Sequence, residues 1–240
     1  MRRYTPRMLE PQNVIEIGTT AGLRAVETAA VVLSALSGII VAARKHMDLV
    51  GSYSLASVTA FGGGTVRDVL LDRRPLFWVT YWQYLVVVLA LCIVVVYSRR
   101  AYESASRGER RFHVVDAFGL ALFGISGSHL AVQHEMPLFV AILYGVMTAS
   151  VGGILRDVLS SEIPALFRVS GALHATAVFF GCGVYVALLA LGAPQIAAGA
   201  TGLIVTVVLR LVSLWFGVTL PRPHWLRTLQ RTGEFPTSSS

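Results

Sequence analysis

The sequence predicts an all-α membrane protein with seven transmembrane helices, arranged as a 3+3 inverted repeat with a seventh helix added. Three observations predict it. The 240 residues are 55% hydrophobic and 14% charged, with a mean hydropathy of +0.66, whereas a soluble domain carries roughly 25% charged residues. The apolar residues gather into seven segments, each close to the roughly 20 residues that cross a bilayer as a helix. Two of the three-segment blocks also repeat one another.

In chain order the segments run over 25–43, 49–71, 79–97, 113–133, 138–159, 169–191 and 196–218. The first, AVETAAVVLSALSGIIVAA, is closed by Arg44 and Lys45. The third, YLVVVLALCIVVVY, is the most apolar and is expected to face lipid. The seventh carries Gly199 and Gly202, which permit close helix contact. The organisation follows: an N-terminal extracellular segment over 1–20, a first three-helix repeat over 21–98 and a basic cytoplasmic linker over 99–112. A second, inverted three-helix repeat over 113–192, the seventh helix over 193–218 and a cytoplasmic tail over 219–240 complete it. No cleaved signal peptide is expected, and the ending GEFPTSSS reads as a disordered terminus.

Charge sets the orientation. With the N-terminus outside, the inner loops hold Arg44, Lys45, Arg99, Arg100, Arg107, Arg110, Arg111, Arg168, Arg222, Arg227 and Arg231. The outer segments hold Arg2, Arg3, Arg7, Arg73 and Arg74. An excess of Lys and Arg marks the cytoplasmic side, which places the C-terminus in the cytoplasm of a multi-pass protein. The net charge of +7 is explained by this distribution, and no nucleic-acid partner is expected. The linker SRRAYESASRGERR is the longest and most basic loop, and can touch anionic membrane lipid.

The repeat is explicit. Residues 27–75 align without a gap on residues 116–164, at an offset of 89, with 15 identities in 49 positions. The pairs include Ser37/Ser126, Gly38/Gly127, Thr59/Thr148, Gly63/Gly152, Gly64/Gly153, Arg67/Arg156, Asp68/Asp157 and Pro75/Pro164. Glu27 faces Asp116, both acidic. Three segments separate equivalent positions, so the second copy enters the membrane from the opposite side. Inverted repeats are typical of transport folds, with the pathway between the halves.

The repeated phrase is TAFGGGTVRDVLL at 59–71 and TASVGGILRDVLS at 148–160. Gly62, Gly63, Gly64 and Thr65, with Gly152 and Gly153, are the candidate sites at which the second and fifth helices break and line a pore. Unwound backbone is tolerated at membrane depth where it is buried or lines a cavity. Close packing is the competing reading, and the symmetric recurrence favours the break. Arg67, Asp68, Arg156 and Asp157 either line the pore vestibules or lock the fold, because intramembrane charges face the bundle interior and pair. Glu27, Asp116 and Asp48 read as helix-start caps.

Little points elsewhere. Cys92 and Cys182 lie in apolar runs, and the six histidines show no metal-ligand spacing. His129 and His174 are suited to interhelical hydrogen bonds. No nucleophile stands at motif spacing from a base, so no enzyme, cofactor or metal is expected.

SALSGIIVAARKHMDLVG, TAFGGGTVRDVLLDRRPLFWV, DAFGLALFGISG and GGILRDVL together resemble the prokaryotic branch of the trimeric intracellular cation (TRIC) channels, whose domain is also known as a glycine transporter domain. The resemblance covers roughly 18–218 and implies a homotrimer of seven-helix subunits, each with its own pore between the repeats. It implies kinks at Gly62, Gly63, Gly64, Gly152 and Gly153, conduction of monovalent cations, chiefly potassium, and residence in the plasma (inner) membrane. Secondary transport of glycine or a similar small amino acid is the alternative. The Lys-Glu-Val signature of animal members is missing and Lys45 is the sole lysine, so phosphoinositide regulation is not implied.

Overall fold

The computed structural model describes residues 11–168 and 173–217, and all regular structure among them is helical. The expectations for 1–10 and for the tail beyond 217 lie outside the described residues. Nine helices follow in order among the described residues: α1 Pro11–Arg44, α2 Leu49–Leu70, α3 Phe77–Thr80, α4 Gln83–Tyr97, α5 Arg99–Ser106, α6 Glu109–Gln133, α7 Leu138–Leu159, α8 His174–Ala190 and α9 Gln195–Phe216.

Boundaries match where a turn residue or charge ends an apolar run. Asp48 accepts a hydrogen bond from the Gly51 amide at 2.7 Å and starts α2 as a side-chain cap. The apolar segment expected over 138–159 is α7 itself. Two expectations are corrected. Helix α1 already runs from Pro11, the first described residue, and so enters the segment expected to be a separate N-terminal piece. The basic linker also contains a helix. The Ser98 hydroxyl accepts from the Ala101 amide at 3.4 Å, and Arg99 pairs with Glu103 at 2.8 Å, one turn on. This α5 leaves α4 at 95°.

Among the described residues, four helical stretches are long and apolar enough, by length and composition, to cross a membrane: Gly22–Arg44, Glu109–Gln133, Leu138–Leu159 and Gln195–Phe216. Of the others, α2 carries glycines and charges, α4 has 15 residues and α8 has 17. At 1.5 Å per residue, α4 and α8 span roughly 23–26 Å, short of a hydrocarbon core of about 30 Å. The outward side of α4 presents Val86, Val87, Ile93 and Val94, while Val88 and Cys92 are buried.

The duplication is visible in the backbone. His46 and Glu135 have φ of 54° and 55°, and Asp72 and Ser161 have φ of 50° and 59°. Both pairs are separated by the 89-residue repeat offset. Left-handed conformations are costly for residues with a Cβ; here each ends the helix preceding it. Four helices form the centre: α1 packs on α2 and α6, and α7 packs on α6 and α2. Helix α4 lies against α1 and α2, while α8 lies against α7, and α9 packs on α8 and α6.

Candidate functional site

Helices α2 and α7 cross at the centre of the repeat. A Cβ added to Gly63 would collide with the Thr148 carbonyl oxygen, and one added to Gly152 with the Thr59 carbonyl oxygen. Gly63 faces Thr148 and Thr59 faces Gly152, an antiparallel register that the repeat offset maps onto itself. The same rule governs the flanking contacts. A Cβ on Gly38 would stand 2.9 Å from the Thr59 hydroxyl, and one on Gly127 would stand 2.6 Å from the Thr148 hydroxyl.

These glycines do not break their helices. Residues 49–70 and 138–159 are each one uninterrupted α-helix, with no left-handed residue at Gly62, Gly63, Gly64, Gly152 or Gly153. The expected unwound segments are therefore corrected. The glycine at each crossing lets two backbones meet, as small residues do between membrane helices. The neighbours differ. A Cβ on Gly62 would meet the Leu155 side chain at 2.8 Å, one on Gly64 would collide with the Phe77 ring, and one on Gly153 would find only Arg156 Nη2 at 3.7 Å. Thr65 donates its hydroxyl to the Phe61 carbonyl at 2.7 Å and accepts from the Trp78 indole at 3.0 Å.

Next to the crossing is a cavity of about 10 Å³, the size of roughly one water molecule. Thr59, Thr148, Gly63 and Gly152 line it, together with Ser34, Ser37, Asp116 and Arg156. Thr59 Oγ1 donates to the Leu55 carbonyl at 2.6 Å and Thr148 Oγ1 to the Tyr144 carbonyl at 2.7 Å. A hydroxyl has one proton and two lone pairs. With each proton committed to its own helix, both threonines present oxygen acceptors to the cavity, which is the chemistry that receives a cation.

The two Arg-Asp pairs lie at opposite ends of the antiparallel crossing, in the last turns of α2 and α7. Arg67 Nε donates to Asp68 Oδ1 at 2.9 Å, and Arg67 Nη1 donates to Glu27 Oε1 at 2.9 Å and to Ser126 Oγ at 3.1 Å. Arg156 Nε donates to Asp157 Oδ1 at 2.9 Å, and Arg156 Nη1 donates to Asp116 Oδ1 at 2.7 Å and to Ser37 Oγ. Every contact in one set maps onto the other at the repeat offset, and each arginine crosses to a serine of the opposite half. The second carboxylate oxygens of Asp68 and Asp157 accept the Phe77 and Ala165 amides at 2.8 and 2.9 Å, tying down the following loops. Phe77 and Phe112 cover the guanidinium groups, with ring centroids at 5.4 and 4.8 Å.

All four charged side chains are buried, and Glu27 and Asp116 with them. The capping reading of Glu27 and Asp116 is corrected: both lie within helices and serve as counter-ions for the arginines. Burying charge is costly unless it is paired and hydrogen-bonded, and here each guanidinium meets two carboxylates. The arrangement brings Arg156 and Asp116 to the cavity wall, whereas Arg67, Asp68 and Asp157 do not line it. His129 shares a hydrogen bond with the Tyr185 hydroxyl at 2.7 Å, joining α6 to α8. Among the described residues, no group of three or more His, Cys, Asp or Glu is placed to hold a metal ion.

The residues not singled out from sequence are Ser37, Ser126, Thr59, Thr148 and Arg210. The first four were visible as repeat identities. Arg210 is the lone charge within the apolar run of the seventh segment, and its Nη2 stands 3.9 Å from Asp116 Oδ2.

Fold and site together define a duplicated, all-helical protein whose halves cross in antiparallel register. The sequence model of the family described as "Glycine transporter" matches residues 24–100 and 113–190, one match on each repeat. Among solved structures, the chain is similar to the TRIC trimeric intracellular cation channel orthologue from Rhodobacter sphaeroides, at 34% identity and a TM-score of 0.74, covering 82% of this chain and 98% of that one. A second structure, from work on conductance through TRIC cation channels, is 30% identical with a TM-score of 0.72, over 83% and 96% of the two chains. A UPF0126 membrane protein of Vibrio cholerae is 36% identical over 78% of this chain and 77% of its own length. The UPF0126 inner membrane protein YadS of Escherichia coli K12 is also 36% identical, over 78% and 89%. The chain belongs to this TRIC family, described in its sequence model as glycine transporter, and is a membrane protein.

Proposed function

We propose that the protein is a homotrimeric channel of the plasma (inner) membrane that passes monovalent cations, chiefly potassium, through a pore in each subunit. The observation that carries this reading is the likeness to solved TRIC cation channels over more than four-fifths of the chain. The pathway runs between the two repeats, past Thr59, Thr148 and the Gly63–Gly152 crossing. At about 10 Å³ the cavity beside the crossing has room for roughly one water molecule, and on this reading conduction requires α2 and α7 to separate. Seven crossings result when α2, α3–α4 and α8 are counted as spans beside the four long apolar stretches, with the N-terminus outside and the C-terminus in the cytoplasm. The exposed apolar side chains of α4, α7 and α9, among them Ile93, Phe139 and Ile204, are then covered by lipid and by neighbouring subunits.

The test is purified protein in a planar bilayer under a potassium gradient. Unitary currents reversing near the potassium potential are expected, along with a crosslinking ladder in mild detergent that ends at three subunits. Silent bilayers combined with glycine uptake into liposomes would overturn conduction in favour of transport.

A further inference from the structure

The two charged clusters match in their repeat-derived members and differ in what completes them. At the first, the added cation is Arg73, 3.7 Å from Asp68 Oδ1 and partly exposed. At the second it is Arg210, which is buried and comes from α9, a helix outside the duplication. Only the second cluster reaches the central cavity, through Asp116 and Arg156. Asp116 is thus served from two sides. Its Oδ1 takes hydrogen bonds from Arg156 at 2.7 Å and Ser37 at 3.3 Å, and its Oδ2 faces Arg210 at 3.9 Å, beyond hydrogen-bond distance.

We infer that Asp116 is the cation-binding carboxylate at the end of the pathway, and that Arg210 sets how much of its charge a passing cation meets. The inference rests on the channel reading. Arg156, Asp157, Asp116 and Arg210 sum to no net charge. With Arg210 in place these four charges cancel, and Arg44, over the same Phe112 ring as Arg156, adds no negative charge to retain a cation. Moving or removing Arg210 leaves one net negative charge at a wall already furnished with Ser37, Thr59 and Thr148 oxygens. A negatively charged, low-dielectric cleft concentrates cations. Because α9 packs on α6 and α8, a shift of α9 along α6 alters the Arg210–Asp116 separation without disturbing the contacts between Arg156 and its repeat partners. Arg210 is a positioning residue acting through Asp116.

The experiment compares wild type, Arg210→Gln, Arg210→Lys, Asp116→Asn and the Arg210→Gln/Asp116→Asn double variant. Thermal stability is measured in detergent as potassium replaces choline, and permeation is measured in bilayers. Arg210→Gln is expected to gain potassium-dependent stabilisation, Arg210→Lys to behave as wild type, and the double variant to lose the gain. In bilayers, Arg210→Gln is expected to raise conductance at low potassium by about threefold through local cation enrichment, and Asp116→Asn to lower the potassium-over-chloride permeability ratio. Potassium dependence identical in wild type and Arg210→Gln, or a gain that survives in the double variant, overturns the inference. If Arg210→Gln does not fold, an unchanged permeability ratio in Asp116→Asn overturns it equally. A wild type that is silent in bilayers while the stability pattern holds removes the channel reading and leaves the cation site standing.

Discussion

Arg67 and Arg156 reach past each other: each leaves its own half of the chain to hydrogen-bond a serine of the other, Arg67 to Ser126 and Arg156 to Ser37. The halves are therefore joined by buried, charge-assisted hydrogen bonds as well as by apolar packing, and the first prediction concerns these bonds. Arg67→Gln leaves Glu27 and Asp68 buried without their cation and is expected to cost about 3–5 kcal/mol. Ser126→Ala removes one hydrogen bond and is expected to cost about 1 kcal/mol. Unfolding in detergent should give the Arg67→Gln/Ser126→Ala double variant less destabilisation than the sum of the singles. Strict additivity would show that the cross-repeat bond carries no energy.

Close approach of α2 and α7 yields a graded glycine series. Gly63→Ala and Gly152→Ala each drive a Cβ into a backbone carbonyl, which cannot rotate away, and a loss of about 1–3 kcal/mol is expected for each. Gly153→Ala has open space around it and is expected to be neutral. The check is the melting temperature of the purified protein together with its current in planar bilayers. Equal effects at all three positions would contradict the crossing geometry.

A pH prediction comes from the loops. Lys45, between α1 and α2, pairs with Glu162, between α7 and α8, at 3.0 Å, and Arg168 pairs with the same carboxylate. Hydrogen bonds from Arg168, then from Lys45, hold the Glu162 carboxyl below its usual range. A depressed carboxylate pKa contributes stability that is full above the unfolded value and is lost as pH falls through the folded value. Both partners are partly exposed, so solvent screening limits the contribution to well under about 1 kcal/mol. Wild type should melt slightly above Glu162→Gln at neutral pH and converge with it below roughly pH 4. A gap that persists at lower pH would refute this.

The Lys45–Glu162 contact also places its two loops on one side of the membrane. Cys92 and Cys182 are buried, so introduced thiols can be labelled over a low background. Lys45→Cys and Glu162→Cys are expected to react with an impermeant maleimide in inside-out vesicles, and His134→Cys in right-side-out cells. Labelling of all three from one side would break the inverted topology.

Much of this was legible in the chain. The match between 27–75 and 116–164 located the crossing and both arginine clusters, because charges that recur at one spacing in an apolar background must be buried against partners that recur with them. The glycines misled, since unwinding and close packing ask for the same residue. Only the Cβ geometry at Thr59 and Thr148 separates the two. Glu27 and Asp116 misled because an acid near the start of an apolar run looks like a cap, although α1 begins at Pro11 and α6 at Glu109. The α5 helix was hidden by its polarity, as it rests on local capping and an ion pair. Arg210 carried a signal, one charge in a greasy run, but its partner lies on α6 and no sequence spacing links them.

The interlaced serines bear on how the protein is made. As the first three helices leave the ribosome, Arg67 has Glu27 and Asp68 at hand, but Ser126 has not yet been synthesised. The half-built protein enters the bilayer with one strong donor unanswered and with the Gly63 face of α2 bare. Both needs are met only when α6 and α7 arrive in the opposite orientation. Wrong-way insertion of the second half would leave its own arginine and serine on the side away from their partners, without the two bonds that join the halves in the finished fold.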